Sequence, residues 1–203
     1  MLADRFHEVP NVVLAALPSL SEISFAQLLL GVGVTLVVWL AVATLIIYAT
    51  RADDPPQPRR HWLSRLIYVS YLVLIAVLAA SSFGAILQTG HVSGDALLVH
   101  VAAAGGFVFL MVAIAFLYLP SAGDGRSVRA RAFSRWWAAR WSAWGLVASS
   151  LVAAASMLVS MLPVLDTQGL VSIASVHRYA GVAVVATAIL HVYCLLCQRW
   201  GWR

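Results

Sequence analysis

Five stretches of this chain are each long and apolar enough to cross a lipid bilayer, which leaves few folds open. A spanning helix needs about 20 mainly apolar residues to traverse a hydrocarbon core about 30 Å thick. The stretches run from Ile23 to Thr50, Trp62 to Gln88, Ala96 to Leu119, Trp141 to Leu165 and Ala174 to Cys197. Of the 203 residues 62% are hydrophobic and 10% charged, against about 25% charged in a soluble domain. So few charges could not cover the surface of a water-soluble protein. The expected fold is an all-α membrane protein of five transmembrane helices, with no room for a second folded domain.

The segment Asp53-Asp54-Pro55-Pro56-Gln57-Pro58 cannot continue a helix, because proline lacks the amide proton and clashes with the preceding turn. It divides an N-terminal part, residues 1–58, with an outer segment, one extra span and a linker, from a four-helix part, residues 59–203. A short polar turn from Gln88 to Asp95 joins the second and third spans. Asp95 is placed to cap the third helix by accepting from its first-turn amides. Asp4, Glu8 and Pro10 precede any long apolar run, so Met1 to Glu22 does not read as a cleavable signal peptide.

All 13 basic residues are arginine, and their placement reports topology rather than nucleic-acid binding. Arg51, Arg59, Arg60 and Arg65 surround the first linker. Arg126, Arg129, Arg131, Arg135 and Arg140 follow the third span, and Arg199 and Arg203 sit in the tail. The alternate loops carry Asp95 and Asp166 and no arginine until Arg178. Arginine-rich loops face the cytoplasm, so the expectation is an outer N-terminus and a cytoplasmic C-terminus. Trp62, Trp136, Trp137, Trp141, Trp200 and Trp202 cluster at the inner boundary, as an aromatic belt does.

Ionisable groups inside apolar spans are functional candidates, and His61, His100, His177 and His191 lie in or at the ends of spans. His177 and His191 share the fifth helix, 14 residues apart. That spacing places them on nearly one face, about 21 Å apart along the axis. His100 matches His177 in depth at the outer side, and His61 is the nearest partner for His191 at the inner side. Two His–His pairs, one per leaflet, suit two low-spin haems, each needing two neutral imidazoles on opposite faces of its ring. His7 and His91 fall in outer segments and read as solvated, although His91 could replace His100.

A flat macrocycle needs small neighbours, and Gly105 and Gly106 follow His100 as Gly181 follows His177. Small residues also simply pack membrane helices together. Haem propionates need cations, which Arg178 would provide outside and Arg60 or Arg65 inside. Cys194 and Cys197 form a lone CxxC at a helix end, without the second pair a zinc site requires.

Arg60-His61-Trp62 opening a membrane helix, with Gly84 near its end, resembles the first helix of the cytochrome b subunits of membrane formate dehydrogenases and nickel–iron hydrogenases. Leu97-Leu98-Val99-His100 with its trailing glycines, and the helix carrying His177 and His191, extend the resemblance over about residues 59 to 199. It implies a bacterial plasma (inner) membrane protein whose four helices hold two b haems. His61 and His191 would ligate the inner haem, and His100 and His177 the outer. It further implies a quinone near the inner haem and a redox partner subunit, of iron–sulfur or cytochrome c type, on the outer face. The extra helix over residues 23 to 50 departs from that pattern. Competing readings are a self-contained haem reductase of the b561-like or ferric-reductase-like type, and a metal transporter using its histidines directly. The first lacks a flavin or nicotinamide fingerprint, and the second lacks carboxylates well inside the spans.

Overall fold

Each apolar stretch becomes one uninterrupted helix, since in hydrocarbon the backbone must satisfy its own polar groups. In a computed structural model the described residues are 24–49, 62–118, 136–163 and 165–199. They form α1 (Phe25–Ala49), α2 (Trp62–Thr89), α3 (Gly94–Tyr118), α4 (Trp136–Ser160) and α5 (Thr167–Arg199). All five are long and apolar enough to cross a membrane. The protein is an all-α, multi-pass membrane protein.

Local chemistry sets the ends. Ser24 and Gln27 form a reciprocal cap on α1: the Gln27 amide donates to Ser24 Oγ at 3.2 Å and the Ser24 amide to Gln27 Oε1 at 2.9 Å. Gly90 and Gly94 turn α2 into α3 with φ of 80° and 55°, a left-handed backbone that only glycine adopts without strain. Because α3 begins at Gly94, Asp95 sits inside its first turn rather than capping it. There the carboxylate still faces the positive end of the helix dipole.

The fourth and fifth helices both start ahead of their apolar runs. α4 starts at Trp136 rather than Trp141 and ends at Ser160, tightening into i→i−3 bonds at Met161 and Leu162 just before Pro163. α5 starts at Thr167 rather than Ala174, because Asp166 Oδ1 accepts from the Gly169 amide at 2.8 Å. Ser172 and Ser175 return their hydroxyl protons to the carbonyls of Gln168 and Val171, so this polar first stretch remains helical.

Two antiparallel hairpins, α2–α3 and α4–α5, pack most closely. Small residues permit the approach: a Cβ on Gly145 would sit 3.3 Å from Thr187, and one on Gly106 would sit 3.2 Å from Leu74. The hairpins meet more sparsely, α2 against α5 and α3 against α4, so α2 and α4 are diagonal, as are α3 and α5. Mid-bundle, Tyr71 stacks on Phe107 at 5.2 Å and shares a 2.8 Å hydroxyl hydrogen bond with Ser150 on the opposite helix. Ile75, Leu146, Ala180 and Val184 complete this dry layer.

Helix α1 lies outside the bundle against α5, with none of its residues buried. It is tied at both ends. Phe25 packs 5.8 Å from Phe83 and beneath the Arg178 guanidinium at 5.3 Å, while Thr44 shares a 2.9 Å hydrogen bond with Tyr193.

Candidate functional site

The diagonal arrangement brings the rings of His100 of α3 and His177 of α5 together edge-on, with centres 6.3 Å apart and planes at 83°. Ring centres at that separation leave room for one metal atom between two imidazole nitrogens. Perpendicular rings are compatible with that arrangement, since each turns freely about the metal–nitrogen axis. The pair sits beyond the Tyr71 layer, at the end of the bundle where α2 turns into α3.

Each described membrane histidine meets a serine from the other helix of its own hairpin. His100 Nδ1 lies 3.2 Å from Ser81 Oγ, His177 Nδ1 lies 3.1 Å from Ser156 Oγ and His191 Nδ1 lies 3.0 Å from Ser142 Oγ. Ser142 and Ser156 are 14 residues apart, as are His177 and His191, so a single antiparallel register of α4 on α5 makes both contacts. His177 Nδ1 also donates to the Ala153 carbonyl at 3.0 Å. A carbonyl only accepts, so this nitrogen carries the proton and a neutral His177 keeps its lone pair on Nε2. A metal-bound imidazole needs that tautomer, with its other N–H held by the protein.

His191 lies at the opposite end of the bundle, its ring 5.9 Å from that of Tyr68 and inclined at 72°. His61, Arg60 and His7 lie outside the described residues. His91 is exposed in the α2–α3 turn, its Nδ1 3.0 Å from the Thr89 carbonyl, and it is His100 that meets His177.

The small residues divide by role. Gly181, one turn along α5 from His177, has no atom within 4 Å of where a Cβ would be, leaving room on the histidine-bearing face. Gly105 is equally open but exposed, and Gly106 is committed to Leu74. Arg178 is exposed and rests on Phe25 of α1, and Arg65 is exposed at the other end. Cys194 and Cys197 form no disulfide, and Cys194 lies beside Ser142.

Among the described residues, no three His, Cys, Asp or Glu side chains come together as a metal-ion site. Two facing imidazoles instead suit a metal whose remaining ligands come from a planar macrocycle. Sequence reasoning found the histidines but missed Ser81, Ser142 and Ser156. Their readable signal was the 14-residue interval from Ser142 to Ser156 repeating that of the histidines. No family model matches this chain, and neither the curated proteins nor the solved structures contain a significant match to it.

Proposed function

We propose that the protein is the membrane electron-transfer subunit of a quinone-linked oxidoreductase complex, a b-type cytochrome with two haems. The observation that carries this reading is the 6.3 Å approach of the His100 and His177 rings from opposite helices of the bundle. These two would hold the outer haem, and His191 with His61 the inner. Haem, when bound, supplies a reversible one-electron Fe(III)/Fe(II) couple.

The chain's own residues bind, orient and insulate. Tyr71, Ile75, Phe107 and Val184 form a buried layer that keeps water from passing between the two ends. Gly181 leaves the α5 face flat beside His177. The donor or acceptor at the outer side would be a redox protein of iron–sulfur or cytochrome c type. At the inner side Tyr68 beside His191 is the polar group best placed to meet a quinone headgroup. Tyr193 is engaged by Thr44 of α1. The side chains of Gln198 and Arg199 lie outside the described residues.

The reduced-minus-oxidised absorbance spectrum of the purified chain is expected to show the sharp bands of low-spin b haem. A featureless spectrum would remove both this reading and the alternative haem reductase.

The membrane proposed is the bacterial plasma membrane, with the N-terminus outside and the C-terminus in the cytoplasm. The arginine-rich loops and tail support that orientation. A reporter active only in the cytoplasm should work when fused after Arg203, and one active only outside should be silent. The reverse pattern would exchange the inner and outer assignments.

A further inference from the structure

The three serines do the same thing at three places. Each donates its single hydroxyl proton to the carbonyl three residues back in its own helix: Ser81 to Leu78 at 3.2 Å, Ser142 to Ala139 at 3.0 Å and Ser156 to Ala153 at 2.8 Å. A hydroxyl has one proton to give. Where the carbonyl takes that proton, most closely at Ser156, the oxygen presents lone pairs to the histidine Nδ1 it faces. Each ring is therefore asked for an N–H at Nδ1.

The opposite tautomer is disfavoured. At His177 an unprotonated Nδ1 would point its lone pair at the Ala153 carbonyl oxygen 3.0 Å away, and a turn of the serine hydroxyl cannot relieve that. Ser156 is 3% exposed, so water cannot substitute for it. A neutral polar group in such surroundings holds its hydrogen bond because the alternative is an unsatisfied atom.

Resting on the di-haem reading, we infer that Ser81, Ser156 and Ser142 are positioning residues that hold the Nδ1–H of His100, His177 and His191, at His177 together with the Ala153 carbonyl. Each presents its histidine's Nε2 lone pair for iron and tunes the potential of one haem. Every serine lies on the hairpin partner of its histidine, so each ligand is oriented within its own hairpin. The outer site is completed when the two oriented hairpins meet across the bundle diagonal. An N–H held by an acceptor raises the basicity of the opposite nitrogen. Stronger donation favours Fe(III), so these serines hold the potentials down.

The test is a redox titration of the full-length protein in detergent, followed by absorbance, with 15N spectra of histidine-labelled samples of the same preparations. Ser81→Ala and Ser156→Ala should raise the Fe(II)/Fe(III) ratio of the outer haem at fixed potential by about threefold to tenfold, and Ser142→Ala that of the inner haem alone. A tenfold change corresponds to 59 mV for a one-electron couple. Ser156→Thr, which keeps the hydroxyl, should restore the original potential. Unchanged potentials in all three alanine variants would overturn the inference while leaving the haems in place. If the chain carries no haem, the di-haem reading falls by itself and the 15N spectra decide the serine assignment. Nδ1–H at all three histidines upholds the tautomer latch, and Nε2–H at them overturns it.

Discussion

Replacing His177 with alanine is expected to halve the haem content of the chain, removing the outer haem and leaving the spectrum of the inner one. The expectation follows from position. His177 and His191 are 14 residues apart on α5, and the Tyr71, Phe107 and Val184 layer fills the bundle between them. At about 1.5 Å per residue the separation is about 21 Å, too far for one site's loss to remove the other's ligands. His100→Ala should give the same spectrum as His177→Ala, and the double variant should be no worse than either, because all three empty one site. Outer-site occupancy should fall by at least about tenfold, the scale on which even supporting groups of a metal ligand act. His191→Ala should do the reverse. Haem content by pyridine haemochrome, with reduced-minus-oxidised spectra on inserted protein, reads all four variants. Loss of both haems from a folded His177→Ala protein, or of neither, would contradict the two-site arrangement.

The largest expected effect on stability is at Tyr71, which is 1% exposed at the centre of the bundle. In a membrane the hydrophobic effect does not drive helices together, so packing and hydrogen bonding carry the association. Tyr71→Ala removes the ring stacked on Phe107 and the hydroxyl bonded to Ser150, which is itself fully buried. A cavity of that size in a packed core costs about 3–5 kcal/mol. Tyr71→Phe keeps the ring and removes only the hydrogen bond, for about 0.6–1.7 kcal/mol. Denaturation in mixed micelles, followed by helix content, compares the two. Equal losses would mean that the hydrogen bond, and not the packed ring, holds the hairpins together at this level.

Much of the fold is legible in the chain because a bilayer imposes a length. Each of the five apolar stretches becomes one helix. What blurred the ends was polar residues beyond the hydrocarbon: Thr167 to Ile173 are helical because Asp166 caps them and serines bond back to the backbone, which hydropathy does not register. Asp95 illustrates the converse, since Gly94 at φ 55° lets α3 start one residue ahead of the expected cap.

The candidate site is legible in part for an equally physical reason. Depth along a span is readable from position, and it pairs His100 with His177. Which helices oppose one another is decided by side-chain packing between the hairpins, including the Tyr71–Ser150 contact of α2 with α4, and such contacts are visible only in the folded bundle. Close packing within each hairpin separates the roles of glycines that look alike in the chain: Gly181 is open beside a histidine, and Gly106 faces a leucine. Arg178 faces α1, where the extra helix places Phe25 beneath it. The serines behind the histidines emerge only once the register of each hairpin is known.

The most direct test of the account is the haem content of the purified full-length protein, produced with haem in ample supply and measured by pyridine haemochrome against protein mass. Two b haems per chain is the expected result, one at His100 and His177 and one at His191 and His61. A correctly folded, membrane-inserted chain that binds none would contradict it.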